Sequence, residues 1–185
     1  MQPTSGELSG PQWCVRFPTS TSVEDLEPSF RPKAKAFLAA LSVAGASVII
    51  TATLRPPERA YLMHYAWQIA RSLISANEVP SYPGVLITWV HATEDATVAA
   101  AAQMVTEYRM VAEASRTSNH LTGKAIDLII GWTGTLTIKD AVSSIAIVTD
   151  EPRDGTNASV ATVGASFLVF HQLPYDPPHW SYDGH

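Results

Sequence analysis

Two short stretches far apart in the chain constrain its fold more than anything else in it. They are Ser118-Asn119-His120-Leu121-Thr122-Gly123-Lys124-Ala125-Ile126-Asp127 and Asp176-Pro177-Pro178-His179-Trp180. The first offers His120 and Asp127 as metal ligands and the second offers His179. Three protein ligands of the His/His/Asp type leave a fourth tetrahedral position for water, which separates an open, catalytic zinc site from a closed structural one. A chain that uses this site must fold so that both stretches meet.

Alternation along a strand over 124–131 puts Gly123, Ala125 and Asp127 on one side, so the carboxylate has small neighbours that leave room for an ion. Gly123 is expected to make the turn that swings His120 back toward Asp127. Two prolines restrict the backbone between Asp176 and His179 to extended or turn geometry. A polyproline-like step returns side chains to one side of the chain. Asp176 is therefore expected to face the open position as a general base, taking a proton from the attacking water and passing it to the leaving amine. Its competing role is to cap a turn before the prolines. Arg55 stands at a strand-to-helix turn, where a guanidinium can clamp a substrate carboxylate or an oxyanion; alternatively it pairs with Glu58 on the surface. Ser118 either donates a hydrogen bond to the same substrate or caps its own turn.

These residues resemble the zinc peptidases of peptidoglycan, a family that includes D-alanyl-D-alanine carboxypeptidases and dipeptidases and the L-alanyl-D-glutamate endopeptidases of bacteriophage. Its signature, Ser-x-His-x-x-Gly-x-Ala-x-Asp, is filled by Ser118, His120, Gly123, Ala125 and Asp127. Its second motif, an acidic residue three before the last histidine ligand, is filled by Asp176 and His179, with Trp180 also matching. The family's Tyr-Arg pair is similar to Leu54-Arg55, without the aromatic. Asp at the base position, where Glu is frequent in the family, and the segments 53–63 and 176–185 resemble phage-encoded members. The resemblance covers roughly Leu26 to His185. It implies an α+β fold shared with Hedgehog signalling domains, with a small antiparallel sheet, flanking helices and one Zn2+ held by His120, Asp127 and His179. The implied activity is hydrolysis of an amide bond in the peptidoglycan peptide stem, first as an L-alanyl-D-glutamate endopeptidase acting as a phage endolysin. The alternatives are a D-alanyl-D-alanine carboxypeptidase or dipeptidase and, from another class, a catalytically inactive peptidoglycan-binding module.

Composition narrows the field in the same direction. A chain of 185 residues suits one domain: an irregular N-terminal arm over 1–21, expected to pack loosely, and a catalytic domain over 22–185. With Cys14 as its one cysteine, the chain can form no internal disulfide and no Cys-rich zinc module. A net charge of -5 without a basic cluster argues against nucleic acid as a partner. The first twenty residues lack the apolar core of a secretory signal. The expectation is a monomer made in the host cytoplasm that reaches the wall after the membrane is permeabilised. The apolar run 37–54 is interrupted by Ser42, Gly45, Ser47 and Thr51 and reads as helix end, turn and strand rather than a membrane span.

Periodicity predicts a helix over 22–44, disturbed early by Pro28 and Pro32, then a buried strand over 46–53. A second helix opens at Pro56 or Pro57 and runs through Ile74, and a third spans 93–114 with Thr93 as its cap. Further strands are expected at 124–131, 145–149, 166–172 and 179–182, with a short helix over 157–165 capped by Asn157.

Overall fold

In the computed structural model, which describes residues 6–185, the strands are β1 (Glu7–Leu8), β2 (Ser47–Ala52), β3 (Ile87–Thr88), β4 (Ala125–Gly131), β5 (Leu136–Lys139), β6 (Ile145–Val148) and β7 (His179–Ser181). The helices are α1 (Arg31–Val43), α2 (Pro57–Ala70), α3 (Glu94–Glu107) and α4 (Ala158–Ser166), with short 3-10 turns between. The fold is α+β, as the sequence implies, and the chain divides into two compact units.

The first unit combines the N-terminal segment through Pro18 with 55–117. Its helices α2 and α3 pack around Tyr61, Leu62, Ala66, Ala101 and Met104. Trp13 and Cys14 are part of that core, so the described part of the expected loose arm is packed, and β1 pairs in parallel with β3. A buried indole with a small apolar neighbour beside it is enough to anchor a segment that has little regular structure. Thr93 caps α3 by accepting from the Ala96 N–H, as expected. The helix stops well before 114, because Arg109 takes a left-handed φ of 54° and the Met110 N–H turns back to the Val105 carbonyl.

The second unit combines 19–54 with 118–185 and carries a three-stranded antiparallel sheet in the order β2-β4-β7. Ile126, Leu128 and Ile130 of β4 project into a core shared with Phe37 and Leu41 of α1 and with Trp180. Within 22–44 the chain forms a 3-10 turn at Val23–Asp25 before α1 begins beside Pro32, so the prolines split the expected helix. Strand β2 is at the sheet edge and half-buried rather than buried; Ile49 is 60% exposed and lies opposite Ile129. Asn157 caps α4, accepting from the N–H groups of Ser159 and Val160. The strand expected over 166–172 is reduced to one bridge, Phe170 to Ser181, because α4 runs through Ser166. No helix among the described residues is long and apolar enough to cross a membrane.

Candidate metal centre

Asp127 and His179 are direct antiparallel partners across β4 and β7. Hydrogen bonds from the Leu128 N–H to the Pro178 carbonyl and from the Tyr182 N–H to the Lys124 carbonyl flank them on alternate pairs. Asp127 and His179 thus occupy a non-hydrogen-bonded pair, the narrow type in which facing side chains approach most closely. On the other edge of β4 a bulge in β2 shifts the register between Ile50 and Ala52, where Ala52 pairs with Asp127. A bulge of this kind bends the strand that carries it and re-aims the side chains at that point.

His120 arrives from the 3-10 turn Asn119–Thr122, which Ser118 caps by accepting from the His120 N–H at 3.3 Å. Gly123 closes that turn with a φ of 68°, in the left-handed region. A Cβ there would lie 2.8 Å from the Glu27 amide nitrogen, so glycine is required by conformation and by space together. The expectation that Gly123 swings His120 back toward Asp127 is met.

The result is a cluster of one nitrogen from each ring and one carboxylate oxygen, all within 4.8 Å of one another. His120 Nε2 lies 3.0 Å and His179 Nδ1 3.3 Å from Asp127 Oδ1. Ligands at roughly 2.0–2.2 Å from a tetrahedral zinc stand roughly 3.3 Å apart, so the donor set and its spacing both fit that ion. The remaining ring nitrogens are also engaged. His120 Nδ1 is 2.7 Å from the Thr53 carbonyl and His179 Nε2 is 3.2 Å from the His185 main-chain oxygen. A carbonyl only accepts, so each ring carries a proton on that nitrogen, and the nitrogen facing Asp127 is the one that donates to the carboxylate when protonated and is free to ligate an ion when not.

Both histidines are buried and Asp127 is largely so. Burial acts to raise the Asp127 carboxyl, but hydrogen bonds from His120 and His179 outweigh it and hold the group well below the ordinary carboxylate range. For His179, burial works against the charged ring, and the hydrogen bond and charge of Asp127 prevail, raising its pKa. The cluster therefore already favours one positive charge beside the carboxylate, the charge pattern that a divalent cation would take over.

The other expected site residues are placed differently. Asp176 is half-buried and sits in a turn, its carbonyl accepting from the His179 N–H at 3.0 Å. This replaces the polyproline-like step, since Pro177 directly after Asp176 is well suited to the second position of a β-turn. Its charge lies close enough to His179 to help raise that ring's pKa. Ser118 takes the capping role. Arg55 is half-buried, precedes Pro56 at the start of α2, and belongs to the first unit, whereas the three clustered residues belong to the second. Sequence reasoning missed Thr53 and the His185 main-chain oxygen, because a main-chain acceptor leaves no trace in residue type.

No protein-family model matches the chain, and no curated protein matches it. Among solved structures, it is similar to a point mutant of the vancomycin resistance D,D-pentapeptidase VanY from a VanB-type resistance cassette, in complex with Zn(II). The identity is 16%, the TM-score is 0.41, and the match covers 85% of this chain and 72% of the other.

Proposed function

We propose that the protein is a zinc peptidase that hydrolyses an amide bond in the peptide stem of bacterial peptidoglycan, with His120, Asp127 and His179 holding the ion. The observation that carries this reading is the convergence of two ring nitrogens and one carboxylate oxygen within 4.8 Å. The signature Ser118, His120, Gly123, Ala125 and Asp127, with Asp176 before His179, supplies the substrate class. When bound, zinc supplies a Lewis acid that activates water and polarises a carbonyl.

The chain's own residues do the rest. Thr53 and His185 orient the two rings through their main-chain oxygens. Asp176 takes the proton of the attacking water and returns it to the leaving amine. Arg55 follows directly on the segment whose Thr53 carbonyl holds His120, and its guanidinium offsets negative charge on the substrate. The Ser118 oxygen already accepts from the His120 N–H, which leaves its hydroxyl proton for a substrate acceptor. The bond cut is the one between L-alanine and D-glutamate, and the protein acts as a phage endolysin; Asp at the base position and the phage-like segments around 53–63 and 176–185 favour this choice.

Digestion of purified sacculi with and without chelator tests the reading. New D-glutamate amino termini that vanish with chelator are expected. Release of free D-alanine instead assigns a carboxypeptidase, and binding to sacculi without any product assigns an inactive module. Asp176→Asn is expected to keep the zinc and lower the turnover rate by roughly 10²–10⁴-fold. An unchanged rate removes Asp176 from the mechanism.

A further inference from the structure

The last residues of the second unit fold back onto the metal cluster. Gly184 is buried with a φ of 88°, and a Cβ there would stand 2.6 Å from the Gln172 side chain, so the turn depends on glycine. Beyond it, the His185 main-chain oxygen meets His179 Nε2 at 3.2 Å. Asp183 Oδ1 holds this turn from within, accepting from the His185 N–H at 3.1 Å and the Ser181 hydroxyl at 3.2 Å. Asn119, the neighbour of His120 in the first motif, donates from Nδ2 to Asp183 Oδ1 at 2.8 Å and to the His185 oxygen. One amide group thus ties the turn that carries His120 to the segment that orients His179.

We infer that Asn119, Asp183 and the main chain of Gly184 and His185 form a positioning clamp that fixes the ring of His179 for the metal. The inference rests on the metal-centre reading proposed above. An imidazole rotates about two side-chain torsions, and a ligand histidine needs its far nitrogen held for its lone pair to point at the ion. His120 obtains this from Thr53, a fully buried residue directly after β2. His179 obtains it from the segment after β7, which this network ties down together with the packing of Gly184 against Gln172, so Asn119 couples the two ligands. The His185 imidazole takes no part, because the acceptor is the main-chain oxygen.

Cobalt(II) and zinc(II) titrations of the full chain, of Asn119→Ala, of a chain ending at Asp183 and of His185→Ala provide the test. The readouts are metal affinity by competition with a chromophoric chelator, the visible absorption of the cobalt form, and the melting temperature of the metal-free protein. Asn119→Ala and the shortened chain are expected to lose roughly 10–100-fold in metal affinity and to change the cobalt band shape. Their metal-free melting temperature is expected to stay near that of the parent. His185→Ala keeps the main-chain oxygen and is expected to restore the affinity lost by the shortened chain. Affinity and band shape in the shortened chain equal to the parent's would overturn the clamp. A parent that binds neither ion overturns the metal centre itself, which is a separate outcome.

Discussion

Gly123 joins two constraints in one residue: a backbone angle that a side chain resists, and backbone atoms of the neighbouring Asp25–Glu27 segment packed where a Cβ would be. Gly123→Ala is therefore expected to destabilise the protein by about 1–3 kcal/mol and to displace His120, measured by denaturant unfolding and zinc titration. The charges of the cluster make a second prediction. His179 has a raised pKa, so its contribution to the metal-free protein is full below about 6.5 and fades as pH rises through the raised value. Asp127 has a depressed one, so its contribution is present above about 3.9 and fades as pH falls through the folded value. Zinc must displace the His179 proton, so its affinity should rise over the same interval in which the metal-free protein weakens. Melting curves with chelator and with zinc between about pH 5 and about pH 9 should diverge as pH increases. At this scale the cluster of His120, Asp127 and His179 was legible because protein ligands of zinc are chiefly Cys, His, Asp and Glu side chains, which residue type announces. Asp183 was not, since its role depends on a left-handed turn at Gly184 that brings the His185 main chain back to Asp183 and His179.

Strand β7 is short, yet its two sides differ: His179 meets Asp127 in the candidate metal cluster on one, and Trp180, fully buried, fills the core on the other. Gly164 of α4 makes room for that indole, since a Cβ there would lie 2.5 Å from Trp180 Cζ3 and 2.9 Å from the Val169 carbonyl. Gly164→Ala is expected to cost about 1–3 kcal/mol in urea unfolding and to weaken zinc binding as well, because Trp180 and His179 are adjacent on one strand. The elements themselves were legible where a cap or an alternation marked them: Thr93 and Asn157 at helix starts, and the apolar alternation of β4. They were obscure where a non-glycine residue took a left-handed angle. Arg109 ends α3 in that way, and nothing in its residue type announces it.

In the whole molecule, all three candidate ligands fall in the second unit, although the chain leaves that unit after Leu54 and returns to it at Ser118. Zinc should therefore slow amide hydrogen exchange in β4, β7 and the turn at 119–122, and leave α2 and α3 of the first unit little changed. Uniform protection of both units would contradict this. In the first unit, burial pushes the Cys14 thiol up to about 11. Alkylation of Cys14 at neutral pH should be slow in the native protein and fast once it is unfolded. The α+β class was legible from the mixture of helical and alternating segments, but the division into two units was not. It follows from which distant stretches pack together, as when Trp13 joins the core of α2 and α3.

The narrow pairing of Asp127 with His179 also bears on how the sheet finds its alignment. A slip of β7 by one residue would set Pro178 or Trp180 against the carboxylate and turn the imidazole to the opposite surface. A divalent ion would then lose a donor and discriminate between the two alignments by its binding energy. Metal uptake would thus select the correctly threaded sheet, adding to what the buried indole of Trp180 and the pairing of His179 with Asp127 already contribute against misalignment.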